Sequence, residues 1–111
     1  MVITAEELAE NLILIHVNGR LDAASASTAE QEILALLEHH SLVVIDFAAL
    51  EYISSAGLRV LLLAAKMMQS RAGTLLLASM CPVVREIFDI SGFSAIFKIF
   101  PDATAALRQI Q

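Results

Sequence analysis

Two adjacent serines, Ser54 and Ser55, stand directly before Ala56, Gly57 and a long apolar segment with helical spacing. A short apolar run that ends in Asp46 precedes them. This order predicts a strand, a linker and a helix that begins at the serines. Backbone amides and the dipole at a helix N-terminus favour a negative group such as phosphate. A hydroxyl there also caps an amide for about 1 kcal/mol. The residue types therefore fit either a helix cap or a phosphate-accepting site.

The composition predicts one cytoplasmic domain over residues 1–111. Hydrophobic residues make up 58% of the chain. Charged residues nevertheless interrupt every apolar stretch before it reaches the roughly 20 residues that a membrane-spanning helix needs. Glu6, Glu7 and Glu10 stand where a signal peptide has basic residues. The formal net charge of −5, without a cluster of Lys or Arg, argues against a nucleic-acid partner. The lone Cys81 fits a reducing compartment and excludes an internal disulfide.

Hydrophobic periodicity and turn signals predict the element order β-β-α-β-α-β-α-β-α. The predicted strands are Met1 to Ala5, Leu12 to Val17, Leu42 to Phe47, Thr74 to Ala78 and Ile96 to Phe100. Glu6 to Asn11 is the first predicted turn, and Asn18-Gly19 ends the second strand. The predicted helices run from Asp22 or Ser25 to about Glu38, from Ser55 to about Ser70, from Pro82 to Phe88 and from Pro101-Asp102 to Ile110. This alternation indicates an α/β fold with a mixed, mostly parallel central sheet covered by helices.

Rival sites find no support in the sequence. A hydrolase nucleophile elbow needs Gly-x-Ser-x-Gly, but Ile53 occupies the first glycine position. A response-regulator receiver would use Asp46 as the acceptor and needs an acidic pair after the first strand, which is absent. A dinucleotide site would need Gly-x-Gly-x-x-Gly. His16 lies in a predicted strand, and the adjacent His39 and His40 point in different directions at a helix end, which disfavours a metal site.

The element order and several motifs resemble the STAS domain of bacterial anti-sigma factor antagonists over nearly the whole chain. The motifs are Val17-Asn18-Gly19-Arg20-Leu21-Asp22, Val44-Ile45-Asp46-Phe47, Ile53-Ser54-Ser55-Ala56-Gly57-Leu58 and Phe97-Lys98-Ile99-Phe100. The resemblance implies a non-enzymatic protein whose unphosphorylated form binds a kinase-type anti-sigma factor and releases that factor's client. It also implies phosphorylation by this anti-sigma factor serine kinase and reversal by a serine phosphatase. ATP belongs to the kinase, and no cofactor is expected here.

In the family, a serine or threonine just before a glycine-leucine turn is phosphorylated, commonly within Asp-Ser-Ser-Gly or Asp-Ser-Ala-Gly. Alignment on Gly57 places the phosphoacceptor on Ser55, and Ser54 takes the place of the acidic residue. Ser54 is the second candidate acceptor. Arg59, one helical turn after Ser55, is either a partner of the phosphate or a solvated surface cation. The expected partner-binding residues are Asp22, Ser54, Ser55, Ala56, Gly57 and Arg59.

Asp22 and Asp46 each allow two roles, and the chain allows one alternative function. Asp22 either caps the first helix or contacts a partner. For Asp46 we favour a structural role, with hydrogen bonds to the amides of the following loop, over participation in phosphoryl transfer. The alternative function is an unphosphorylated STAS scaffold module of a transporter or lipid-trafficking complex. The serine at position 54, in place of the acid, favours this alternative.

Overall fold

The computed structural model describes residues 1–110, in which a six-stranded sheet is layered with four α-helices. The elements in chain order are β1 Val2–Ala9, β2 Leu12–Leu21, α1 Ala26–Leu37, β3 Leu42–Asp46, β4 Leu50–Ile53, α2 Ser55–Ser70, β5 Thr74–Ala78, α3 Pro82–Ser91, β6 Lys98–Phe100 and α4 Ala103–Ile110. A short 3-10 helix, Phe93–Ala95, connects α3 to β6. The predicted α/β class is confirmed.

The long strand β2 organises the sheet. Strand β1 pairs with it antiparallel as a hairpin, whereas every other pairing in the sheet is parallel. Strand β3 lies beside the first part of β2, with Leu12 opposite Leu42 and His16 opposite Asp46. Strand β4 then occupies the same side of β2 beside its last residues, Gly19 to Leu21. Strands β5 and β6 extend the sheet beyond β3. The prediction of a mixed, mostly parallel sheet is therefore correct.

Two predicted boundaries of the first hairpin are wrong. Strand β1 continues to Ala9, so Glu6 to Ala9 is strand and the turn consists of Glu10 and Asn11. Strand β2 does not end at Asn18-Gly19 but continues to Leu21. Gly19 has a positive φ of 98°, and the register shifts between Gly19 and Arg20. The glycine therefore marks a bulge within the strand and not a turn after it.

The linker predicted between the third strand and the second helix contains a strand, β4. Its four residues include two buried apolar side chains, Leu50 and Ile53, around an exposed Glu51. So short a segment carries too little periodicity to be told from a loop by sequence alone. The third helix is also longer than predicted, because α3 continues past Phe88 to Ser91 and ends at Gly92 in a left-handed conformation.

Helices cover the two faces of the sheet unequally. Helices α1, α2 and α3 share one core with the side chains of alternate strand residues, among them Ile15, Ile45 and Leu77. The opposite face has a smaller core, in which Ala106 of α4 packs near Val44 and other strand residues. Helix α4 contacts β3, β5 and β6. Within residues 1–110 no helix has the length and apolar character needed to cross a membrane.

Three phenylalanines anchor α3 to the larger core. Phe88 is fully buried, and its ring meets Phe93 and Phe97 edge-on at centroid distances of 6.3 and 6.0 Å. Edge-to-face pairs of this kind add about 0.5–1.5 kcal/mol beyond the burial of apolar area. The position of α3 therefore depends on Phe88.

We predict that Phe88→Ala lowers the free energy of unfolding by about 3–5 kcal/mol, because it leaves a cavity and removes two aromatic contacts. Val83→Ala, on the exposed side of the same helix, is the matched control and should change stability by about 0.5 kcal/mol or less. Urea denaturation followed by circular dichroism measures both. Equal losses in the two variants would contradict the assignment of Phe88 to the core.

Candidate phosphoacceptor site

Ser54 is the N-cap of α2. Its backbone is extended, with φ −97° and ψ 176°, and its hydroxyl accepts a hydrogen bond from the Gly57 amide at 3.4 Å. The Ser54 carbonyl accepts from the Leu58 amide at 2.9 Å, which closes the first helical turn. The Ser54 amide donates to the Leu21 carbonyl at 2.9 Å. Ser54 therefore both caps the helix and ties it to the end of β2.

Ser55 is the first helical residue and is exposed to solvent. Its hydroxyl makes no hydrogen bond within residues 1–110. In the same part of the chain, the amides of Ser55 and Ala56 have no protein acceptor, as is usual in a first helical turn. A free hydroxyl thus lies beside two free backbone donors at the positive end of the helix dipole. This arrangement suits a covalently attached phosphate.

Gly57 allows α2 to approach the sheet closely. It is buried, and a Cβ at this position would lie 2.7 Å from the Leu21 carbonyl oxygen and 2.8 Å from Cγ1 of Ile53. Cβ atoms in proteins essentially never lie this close to another heavy atom, so a larger residue forces the helix away from β2 and β4. Gly57 is therefore required by packing and not by backbone conformation.

Asp22 begins the loop that leads from β2 into α1. Its Oδ1 accepts from the amides of Ala24 and Ser25 at 3.1 and 3.3 Å, and its carbonyl accepts from the Ala26 amide at 2.8 Å. Ser25 is the N-cap residue by position but makes no side-chain cap. Its hydroxyl instead donates to the Arg20 carbonyl at 2.9 Å. Asp22 therefore orders the start of α1, which is one of its two predicted roles, and it lies next to the Leu21 carbonyl that holds Ser54.

Arg20 and Tyr52 form a side-chain pair near the site that the sequence alone does not reveal. The Arg20 guanidinium lies over the Tyr52 ring, 4.6 Å from its centroid, and its Nε is 3.8 Å from Oδ2 of Asp22. Arg20 and Tyr52 are register partners between β2 and β4, so the pair becomes visible only once β4 is recognised as a strand. Arg59 is exposed on α2 and forms no ion pair within residues 1–110. Arg59 follows Ser55 by four residues, which is about one helical turn.

Within residues 1–110, Asp46 makes no hydrogen bond to Ser54 or Ser55. It is buried, its Oδ1 accepts from the Ala48 amide at 3.1 Å, and its Oδ2 lies 2.9 Å from Nδ1 of His16. The other ring nitrogen of His16 lies 2.7 Å from Oε2 of Glu6. The hydrogen bond to Glu6, reinforced by Asp46 against the opposing effect of partial burial, raises the pKa of His16 above 6.5. Asp46 therefore holds the following turn, as predicted.

Within residues 1–110, neither the two adjacent histidines nor Cys81 hydrogen-bonds to Ser54 or Ser55. His40 is buried, with Nδ1 2.8 Å from the Leu36 carbonyl and Nε2 3.0 Å from Oε1 of Glu7, whereas His39 is exposed. No group of three metal-ligating side chains occurs in the part of the chain that the structure describes. Cys81 is a half-buried free thiol that donates to the Leu50 carbonyl at 3.5 Å. The candidate site consequently comprises Ser54, Ser55 and their immediate neighbours.

Known proteins with similar sequences support one family. The sequence model of the STAS domain matches residues 3–106. BtrV of Bordetella bronchiseptica, assigned as an anti-sigma factor antagonist, is 38% identical over 107 residues, which cover 96% of this chain and 91% of BtrV. The anti-sigma-B factor antagonist of Bacillus subtilis is 29% identical over 90 residues, or 81% of this chain and 83% of that protein.

Solved structures agree with this fold. The anti-sigma factor antagonist SpoIIAA in its unphosphorylated form has a TM-score of 0.83 at 20% identity, covering 98% of this chain and 96% of SpoIIAA. The Bacillus cell fate determinant SpoIIAA in its phosphorylated form has a TM-score of 0.76 at 18% identity, covering 99% and 100% of the two chains. At these identities the two structures show a shared fold.

The two serines should respond differently to truncation. We predict that Ser54→Ala lowers the free energy of unfolding by about 0.5–2 kcal/mol through loss of the cap. Ser55→Ala removes a hydroxyl without a partner and should change it by about 0.5 kcal/mol or less. Urea denaturation of both variants measures the difference. A larger loss for Ser55→Ala than for Ser54→Ala would contradict the capping assignment.

Gly57→Ala sets helix propensity against packing. Alanine is favoured over glycine by about 1 kcal/mol in a helix interior. The added Cβ nevertheless collides with the Leu21 carbonyl, and overpacking of this kind costs about 1–3 kcal/mol or more. We predict a net loss of stability in the same denaturation measurement. A variant more stable than the parent protein would show that the contact between α2 and β2 has room for a methyl group.

Proposed function

Because the chain belongs to the STAS domain family of anti-sigma factor antagonists, we propose that it is a non-enzymatic partner-switching regulator controlled by phosphorylation of Ser55. In this proposal the unphosphorylated protein binds an anti-sigma factor serine kinase in the cytoplasm and frees the client of that factor. Phosphorylation of Ser55 ends the complex, and a serine phosphatase restores it. The observation that carries the proposal is the exposed, unbonded Ser55 hydroxyl beside two free amides of α2.

Accessibility favours Ser55 over Ser54 as the acceptor. A kinase must bring the γ-phosphate of ATP in line with the attacking hydroxyl, which requires that the hydroxyl be exposed and free. Ser55 meets this condition, whereas the Ser54 side chain is half-buried and caps the Gly57 amide. Modification of Ser54 would therefore first have to break the cap. The cap also fixes the first turn of α2, so that Ser55 is presented in one orientation.

The same location lets the modified protein stay folded. A phosphoserine adds about −1.5 to −2 charges and strong acceptor oxygens. The free amides of Ser55 and Ala56 and the positive end of the helix dipole accommodate that charge. Arg59 supplies a further cation, and the serine at position 54 leaves the site without the acidic neighbour that would repel a phosphate. SpoIIAA, which has the same fold, is known in a phosphorylated form.

The switch then operates at the surface that the partner contacts. The charged side chain in the loop beside the site is Asp22, which lies 3.8 Å from Nε of Arg20, and the next two residues, Ala23 and Ala24, are exposed and uncharged. A partner that fits the unmodified surface has no cation in place for the phosphate. The roughly two added negative charges are therefore desolvated and unpaired in the complex. A loss of about 2.7 kcal/mol corresponds to a hundredfold weaker complex. The proposed mechanism is thus local repulsion without a change of fold.

Incubation with an anti-sigma factor kinase of the same organism and ATP tests the acceptor. We expect intact-mass spectrometry to show the gain of a single phosphoryl group by the parent protein and by Ser54→Ala, and none by Ser55→Ala. Fragmentation should place the phosphate on Ser55. If Ser55→Ala is labelled as well as the parent protein, Ser55 is not the acceptor. If the parent protein gains no phosphate, the alternative of an unmodified scaffold module is favoured.

Affinity for the same kinase tests the repulsion. We predict that Ser55→Asp binds about tenfold or more weakly than the parent protein, whereas Ser55→Ala binds with unchanged affinity, because only the first adds charge. Isothermal titration calorimetry in the presence of a non-hydrolysable ATP analogue measures both. Arg59→Gln is informative as a third variant, since its neutral side chain should deepen the effect of Ser55→Asp. Equal affinities of Ser55→Asp and Ser55→Ala would refute the mechanism.

A further inference from the structure

We propose that Glu6, His16 and Asp46 form a protonation-dependent clamp that fastens the edge strand β1 and the β3–β4 turn to β2. The three side chains come from three adjacent strands, β1, β2 and β3. They lie in a row, with His16 between the two carboxylates. The clamp is separate from the Ser55 site and does not depend on the function proposed for it.

The hydrogen-bond geometry requires a charged imidazole. Nε2 of His16 is 2.7 Å from Oε2 of Glu6, and Nδ1 is 2.9 Å from Oδ2 of Asp46. A carboxylate accepts hydrogen bonds and donates none, so both ring nitrogens must carry a proton for both contacts to be hydrogen bonds. The neutral ring has a proton on one nitrogen and a lone pair on the other. Deprotonation therefore replaces one of the two hydrogen bonds by repulsion between a lone pair and a carboxylate.

Within residues 1–110, Glu6 and Asp46 are the two charged groups that lie within hydrogen-bond distance of the His16 ring. On β1, Thr4 is the register partner of His16, and Glu6 is two residues further along the same face. On β2 the neighbours on that face are the uncharged Leu14 and Asn18. Strand β3 contributes Asp46. The charges that act on His16 are those of Glu6 and Asp46, and both raise its pKa.

The helix on this side of the sheet does not alter the balance. Helix α4 packs on β3, β5 and β6, and Arg108, its only charged residue, is exposed. Asp102, just before α4, accepts from the Ala105 amide at 2.8 Å and so caps the helix. The charge of the clamp is therefore set by the three side chains themselves.

The clamp reaches the β3–β4 turn through Asp46. The second carboxylate oxygen, Oδ1, accepts from the Ala48 amide at 3.1 Å. In the next residue, the Ala49 carbonyl accepts from the Gly19 amide at 2.8 Å, at the bulge of β2. Loss of the His16 proton thus removes either the hydrogen bond to Glu6 on the edge strand or the one to Asp46, which holds the turn. Exchange between the two neutral tautomers weakens both attachments on average.

The sign of the pH dependence follows from the raised pKa. Because the folded protein binds the His16 proton more tightly than the unfolded chain, the contribution of the clamp to stability is fully present below pH 6.5. It is lost as the pH rises from 6.5 through the pKa of His16 in the folded protein. The edge strand and the turn should consequently loosen on the alkaline side of neutrality.

Titration of the imidazole resonances of the full chain by NMR tests the clamp. The expected midpoint for His16 lies above 6.5 in the parent protein and moves down toward 6.5 in Glu6→Gln. Glu7→Gln is the matched control, because it removes the same charge from the adjacent residue, whose carboxylate contacts His40 instead. It should leave the His16 midpoint unchanged. A midpoint at or below 6.5 in the parent protein, or equal shifts in the two variants, overturns the proposal.

Amide hydrogen exchange tests the structural consequence. After correction for the intrinsic rate, the protection of the Ala48 amide and of the β1 amides should fall several-fold between pH 6 and pH 8.5 in the parent protein. His16→Gln, which cannot titrate in this range, should show no such pH dependence. Glu6 is exposed on the edge strand, so Glu6→Gln is the second variant if His16→Gln fails to fold. His16 still titrates in Glu6→Gln, but the carboxylate on β1 is gone, so the pH dependence of the β1 amides should be smaller than in the parent protein. Protection that changes equally with pH in the parent protein and the variants contradicts the clamp.

Discussion

The contact between α2 and the Leu21 carbonyl is the constraint on which the site depends. This one oxygen accepts from the Ser54 amide and lies where a side chain on Gly57 would collide. It thereby fixes the distance between the helix and the end of β2 as well as the direction in which the first turn leaves the sheet. The free hydroxyl of Ser55 and the free amides beside it are presented from that rigid turn. The phosphorylation that we propose requires no conformational change in this protein.

Two aspartates at strand ends have structural roles that are distinct from the role proposed for Ser55. Asp22 and Asp46 are both used to order turns at the ends of strands, through their hydrogen bonds to the amides of Ala24 and Ala48. Neither carboxylate is directed at Ser55 by these bonds. A serine rather than an acid precedes Ser55, so the proposed phosphate would join a corner of low negative charge in an acidic protein. The second carboxylate oxygen of Asp46 is available to pair with His16 in the clamp.

The sequence predicted well those features that are encoded locally. Helix α2 spans Ser55–Ser70 and β5 spans Thr74–Ala78, as expected from a hydroxyl start signal, a helical apolar stripe and a buried apolar run. Gly19 was misinterpreted because a glycine after a strand signals a turn, whereas here β4 provides a partner that lets β2 continue through a bulge. The residues of β4 have no strong pattern of their own. Their strand conformation depends on pairing with β2, which is remote in sequence.

The surroundings of the site and the separate clamp could not be predicted for the same reason. The stacking of Arg20 on Tyr52 and the row of Glu6, His16 and Asp46 both depend on register between strands. Register is fixed by the packing of whole strand faces and is not visible in any one segment. Ser54 and Ser55, in contrast, are adjacent in the chain, and the helix that they begin has a strong local signal. The helix start that carries the two serines was therefore predictable, and the network around it was not.

The central claim is that Ser55 carries the phosphate and that the first turn of α2 holds it without refolding the domain. Comparison of amide NMR spectra of the protein before and after phosphorylation by its kinase tests this most directly. The account predicts large shifts confined to the amides of Ser55, Ala56 and their neighbours in the first turn, with the signals of β3 and β5 unchanged. A phosphate on another residue, or shifts that spread through β3 and β5, would contradict it.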